Sequence, residues 1–159
     1  MQVKIKWIDG VSFVGESETG HAVVLDGAPE NGGRNIGMRP MEMLLVGMGA
    51  CTAFDVVTIL KKARQPILDC VAEINAIRAD EIPKVFTTIH VHFTITGSNL
   101  NQTQVERAVK LSAEKYCSAS IMLSKSVVAP MEIRRPVMLR SAYTGQATVL
   151  PSGVMVPRS

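Results

Sequence analysis

The chain has 159 residues, 47% hydrophobic, 19% charged and 4% aromatic, with a formal net charge of +3. That length suits one domain with a real core, and the composition fits neither a disordered chain nor a basic nucleic-acid binder. With so few aromatics the core falls to Val, Ile, Leu, Ala and part of the nine Met, Met serving as a pliable filler.

The opening "MQVKIKWIDG" alternates at period two and offers no apolar stretch of the signal-peptide kind. The uncharged run from Met43 to Phe54 is closed by Asp55 and falls short of the roughly 20 apolar residues of a membrane span. A soluble, cytoplasmic protein is expected, with neither membrane nor nucleic acid as a partner. "VKIKWI", "SFVGE" and "HAVVL", separated by DG and TG pairs, predict a three-stranded antiparallel meander over Val3–Leu25. "DGAPENGGRNIGMRP" is a loop by its Gly, Pro and Asn content, and its "ENGG" lacks the Gly-Lys-Thr that would follow in a phosphate loop.

Pro40 suits the first turn of a helix, predicted to run to about Ala63, before Gln65–Pro66. This helix is apolar nearly all round, which predicts burial on most sides. Gly47 and Gly49 inside it each cost about 1 kcal/mol against alanine. Their presence predicts close packing against another backbone, a first sign of a second chain.

"ILDCVAEINAIRA" and "VFTTIHVHFTIT" read as strands joined by "DEIPK". In the second, Ile89, Val91, Phe93 and Ile95 share an apolar face, while Thr88, His90, His92 and Thr94 share the other. His90 and His92 are expected to be solvated, with His21 elsewhere, so no metal site is expected. Thr103 with Glu106 fits a capping box opening a second helix, whose inner stripe is Val105, Ala108, Val109, Ser112 and Tyr116, with Cys117 at its edge. "VVAPMEIRR" predicts a last strand. Residues 136–159 read as an extension of weak structure, leaving 1–135 as the folded domain. The order βββ-α-ββ-α-β gives an α+β fold with an antiparallel sheet.

Three cysteines without a secretory signal predict reactive or buried thiols, not a disulfide framework. Cys70 lies mid-strand, with only Asp69 ionisable beside it, and reads as structural. Cys51 in "GMGACTAFD" and Cys117 in "AEKYCSASIML" are of greater interest. A peroxide-reducing site needs a nucleophilic thiolate and a second thiol, with Cα atoms ~4.4–6.8 Å apart, to trap the sulfenic acid as a disulfide. No G-x-S-x-G or serine triad competes with this reading.

"RPMEMLLVGMGACTAFDVV" together with "VERAVKLSAEKYCSASIML" resembles the two cysteine helices of the organic hydroperoxide resistance and osmotically inducible, OsmC-like, family. The likeness runs from about Val3 to Ile133. It implies an OsmC-like fold, an antiparallel sheet with a long buried central helix and a second cysteine-bearing helix, in an intertwined homodimer that encloses both helices. It also implies that Cys51 is peroxidatic and Cys117 resolving, in a peroxidase that reduces organic hydroperoxides, without a cofactor, in oxidative stress defence. An external dithiol would reopen the disulfide. The peroxidase branches keep an arginine in the first hairpin and a glutamate ten residues before the first cysteine. Here the hairpin reads "GESETGHAV", without arginine, and Glu42 stands nine before Cys51.

A thiolate deep in a helix lies beyond the reach of the helix dipole, and burial raises a thiol's pKa. Cys51 therefore needs a cation, and Arg39 and Arg34 are the candidates near it in sequence. Twelve residues separate Arg39 from Cys51, roughly 18 Å along a helix, so the contact is expected across a dimer. Nine residues put Glu42 on the face opposite Cys51, whereas Asp55, four residues on, sits beneath it. The alternative to an enzyme is a non-catalytic dimer that senses redox state or binds a small ligand.

Overall fold

In the computed structural model, residues 1–126 are described together with the short paired strands Ala147–Val149 and Met155–Pro157. The predicted strand within 127–135 and the rest of the 136–159 extension lie outside the described residues. The chain forms two compact units, Met1–Val46 and Gly47–Ser159.

The first unit is the predicted meander. β1 (Val3–Asp9), β2 (Ser12–Ser17) and β3 (Ala22–Leu25) pair antiparallel in that order. Gly10 turns β1 into β2 with φ +53°, a left-handed backbone that glycine adopts without strain. The loop after β3 is organised by one buried carboxylate. Asp26 accepts the Ser12 hydroxyl at 2.9 Å and the backbone N–H groups of Gly27, Arg34 and Ile36 at 2.9, 2.8 and 3.2 Å. Burial alone would raise its pKa. The N–H of Ile36, the Ser12 hydroxyl and the N–H groups of Arg34 and Gly27 outweigh it and hold Asp26 at about 2, below the ordinary 3.8.

This fixes a sign. The ionised form is favoured in the folded state, so its contribution is present above about 3.8 and is lost as pH falls through about 2. The single Trp, Trp7, lies in this unit with its indole N–H donating to the Gly10 carbonyl at 2.9 Å. Trp7 emission is expected to hold down to about pH 4 and to change between that pH and about 2. In Asp26→Asn the change across that window disappears and the melting temperature at neutral pH falls. An unaltered acid transition in the variant would contradict the assignment.

α1 (Pro40–Lys62) begins and ends where Pro40 and the Gln65–Pro66 break place it. Its buried residues, Met48, Gly49, Thr52, Val56 and Leu60, form one stripe at helical spacing. The expectation of burial on most sides is not met within this chain, where Phe54 is 71% exposed and Leu44 and Val46 also face outward. By length and composition α1 is also apolar enough to cross a membrane, with a mean hydropathy of 2.0 over its most apolar stretch. The glycines divide likewise. A Cβ on Gly49 would stand 2.5 Å from Ile74 Cδ1, whereas one on Gly47 would meet nothing within 4 Å among the described residues. Gly49 thus packs against a side chain of its own chain.

β4 (Ile67–Arg78) and β5 (Phe86–Gly97) make a long antiparallel hairpin. Ile74 stands opposite Val91, Ala76 opposite Ile89 and Ala72 opposite Phe93, and the β5 members of these pairs are 2% exposed or less. Cys70 lies opposite Ile95 on the same face. His90 and His92 are half-buried, not solvated as expected, and Nδ1 of His90 is enclosed without a partner among the described residues. Their cross-strand neighbours, Asn75 and Glu73, stand close enough to cover part of each ring.

Candidate functional site

The second cysteine segment departs from the expected regular helix. α2 (Gln102–Leu111) is capped by Asn101, whose side chain accepts the Gln104 N–H at 3.1 Å. The predicted Thr103–Glu106 box does not form, and Glu106 instead accepts from Gln102 Nε2 at 3.0 Å. From Ser112 to Tyr116 the chain makes one π-turn, closed by the Cys117 N–H donating to the Ser112 carbonyl at 2.8 Å. α3 (Ser118–Ser126) follows.

The π-turn decides which residue faces the core. In an α-helix the residue below Ser112 is Tyr116; an i→i+5 turn holds one residue more, so Cys117 takes that place. Cys117 is fully buried and Tyr116 is 50% exposed, the reverse of the predicted stripe. Val105, Ala108, Val109 and Ser112 are buried as expected.

Cys117 also starts α3. Its carbonyl accepts the Ile121 N–H at 3.0 Å and its Sγ accepts the Ser120 N–H at 3.4 Å. The sulfur thus occupies the place of an N-cap side chain, at the positive end of a helix. The Ser120 hydroxyl donates to it at 3.1 Å, and Thr52 Oγ1 lies 3.2 Å away. Thr52 in turn donates to the Met48 carbonyl at 2.8 Å. The Ser112 hydroxyl donates to the Thr52 carbonyl at 3.1 Å and lies 3.4 Å from Asp55 Oδ2.

Cys51 and Asp55 come to this group from α1, one turn apart. The two sulfurs and an Asp55 oxygen all lie within 4.8 Å of one another, and both cysteines are free thiols. The two sulfurs differ in acidity. Cys51 is raised, first by the hydrogen bond its thiol gives Cys117, then by burial, with the charges of Cys117 and Asp55 adding and the Ala119 N–H opposing. Cys117 is lowered: burial pushes it up, but the Ser120 hydroxyl, Thr52, the Ser120 N–H and the Cys51 thiol outweigh that. Of the two sulfurs, Cys117 is the one whose ionised form its neighbours favour. Burial, then Asp69, raises Cys70, which lies apart on β4.

Of the five residues selected from sequence, Cys51, Cys117 and Asp55 come together. Glu42 and Arg39 meet each other, the carboxylate accepting the Arg39 N–H at 2.9 Å and lying 3.5 Å from its guanidinium, as an acid at a helix start does. Arg34 lies 3.6 Å from Asp9. Thr52, Ser112 and Ser120 complete the group, and no sequence motif marks them as site residues. Thr52 carried a signal: it is the one hydroxyl on the buried stripe, and a buried hydroxyl needs a partner.

A sequence model described as OsmC-like protein matches residues 32–131. Protein YhfA of Escherichia coli is 47% identical over 127 residues, covering 80% of this chain and 92% of its own. A hypothetical protein from Aquifex aeolicus is 29% identical, with a TM-score of 0.74, over 88% of this chain and 97% of that one. An organic hydroperoxide resistance protein from Legionella pneumophila shares the fold with a TM-score of 0.60 at 19% identity, covering 84% and 96%.

Proposed function

Since this chain belongs to the OsmC-like protein family, we propose that it is a thiol peroxidase reducing organic hydroperoxides to alcohols in the cytoplasm. The observation that carries this reading is the pairing of the Cys51 and Cys117 sulfurs with Asp55, with the Thr52 and Ser120 hydroxyls on Cys117. The hydroperoxide resistance named for the Legionella protein points the same way.

Cys51, the more accessible sulfur of the pair, attacks the distal peroxide oxygen as a thiolate. The O–O bond breaks, the alkoxide leaves as alcohol after taking a proton, and Cys51 becomes a sulfenic acid. The Cys117 thiolate then attacks the Cys51 sulfur, hydroxide leaves, and a disulfide forms. An external dithiol restores both thiols, and no cofactor enters. The apolar side chains of α1 favour an alkyl over a bare peroxide.

Ionising Cys51 beside Asp55 requires a cation. The proposal assigns it to a second copy of the chain, with Arg39 or Arg34 as the source, in a homodimer that also covers the apolar surface of α1. The acidity order favours a second reading, a redox-sensing or ligand-binding module, because the thiolate formed most readily is the buried Cys117.

Turnover separates the two. Steady consumption of tert-butyl hydroperoxide with a small dithiol is expected, falling by roughly 10³-fold or more in Cys51→Ser, the cost of losing a nucleophile. Stoichiometric oxidation without turnover would favour the sensing module.

A further inference from the structure

The Cys51, Asp55 and Cys117 donors converge from two separate segments. Cys51 and Asp55 are four residues apart on α1 and share a face, while Cys117 enters from the start of α3. A tetrahedral zinc ion with Zn–S of ~2.3 Å and Zn–O of ~2.0–2.2 Å holds its ligands roughly 3.5–3.8 Å apart. The three donor atoms already lie within 4.8 Å of one another, so side-chain rotations of about 1 Å bring them to bonding geometry.

The surroundings suit a cation. Among the described residues no salt bridge engages Asp55; its polar neighbour is the Ser112 hydroxyl. With both thiols ionised the cluster carries three negative charges in a partly desolvated place, where an uncompensated charge is costly. Ser112 on Asp55, and Ser120 and Thr52 on Cys117, are the kind of outer partners that orient metal ligands. Two thiolates with one carboxylate match zinc and not magnesium or calcium, which take oxygen ligands. Three protein ligands leave a fourth position for water, reached from the Cys51 side, since Cys51 and Asp55 are only half-buried.

We propose that Cys51 Sγ, the Asp55 carboxylate and Cys117 Sγ form a binding site for one zinc ion per chain. Binding displaces the two thiol protons and occupies the sulfur lone pairs, so the metal-bound form resists peroxide and alkylation while the disulfide form has no site. Zinc and oxidant therefore compete for the same two sulfurs. This rests on the donor geometry and holds whether or not the protein turns over peroxide.

The test uses the full reduced chain, freed of metal by a chelator. Cobalt(II) is expected to bind at one per chain with the intense near-ultraviolet thiolate charge-transfer band and visible bands of a tetrahedral ion. Zinc should displace it and slow Cys51 alkylation at least tenfold. Affinity, read by competition with a chromophoric chelator, should fall about 100-fold or more in Cys51→Ser and Cys117→Ser and about tenfold or more in Asp55→Asn, and be unchanged in Cys70→Ser. Folded parent protein alkylated at Cys51 should take up no cobalt, which removes misfolding of the variants as an explanation. No binding by the reduced parent, binding that survives alkylation of Cys51, or binding that follows Cys70 would each overturn the site.

Discussion

One equivalent of tert-butyl hydroperoxide is expected to consume Cys51 and Cys117 of the reduced protein together and to spare Cys70. The reason is placement. The Cys51 and Cys117 sulfurs lie within 4.8 Å of each other, with the Thr52 and Ser120 hydroxyls on Cys117, whereas Cys70 sits on β4 opposite Ile95. Burial and Asp69 keep Cys70 protonated, and a protonated thiol is a poor nucleophile. Peptide mapping should find one disulfide, Cys51 to Cys117 within a chain, with a mass loss of two hydrogens. In Cys117→Ser the reaction should halt at a Cys51 sulfenic acid that dimedone traps. Cys51→Ser should lose less than a tenth as much thiol as the parent in the same time. A disulfide through Cys70, or dimedone labelling of Cys117, would refute this assignment of roles.

The second large effect comes from the π-turn. One alanine inserted between Glu114 and Lys115 turns the following residues by about 100° and advances them ~1.5 Å. Cys117 then leaves the position under Ser112, and its sulfur no longer faces Cys51. Peroxide-driven disulfide formation should drop by roughly 10²-fold, consistent with displacement of a reacting group by about an ångström or more, and Cys51 should proceed to sulfinic acid. Deleting Lys115 should have the opposite character. The five-residue turn becomes an ordinary α-turn, whose residue below Ser112 is again the cysteine, and the disulfide should still form. Equal behaviour of the insertion and the deletion would show that the turn does not set the register.

The sequence displayed the strands and α1 clearly, because their periods are written in side chains. Val91, Phe93 and Ile95 alternate with His92 and Thr94, and Pro40 and Pro66 punctuate the helix. It displayed Asp55 beside Cys51 as well, through helical spacing. The π-turn was hidden, since an i→i+5 hydrogen bond is made by backbone and leaves no periodic mark; the 3.6-residue stripe therefore named Tyr116 where the fold uses Cys117. Asn101 and Thr103 are both helix-capping types, and which of them caps α2 depends on where the chain leaves β5. Gly47 reads as packed in any apolar helix, yet no described residue comes within 4 Å of a Cβ built there.

The double service of Cys117, a capping atom for α3 and a member of the thiol pair, bears on how such a site is lost or kept over evolutionary time. A serine at that position would cap the helix at least as well and fill nearly the same volume. A descendant that gave up the chemistry by that single change would fold as its ancestor did. Selection for stability is therefore blind to the sulfur at this position, and only selection on the thiol's own reactions can hold a cysteine there.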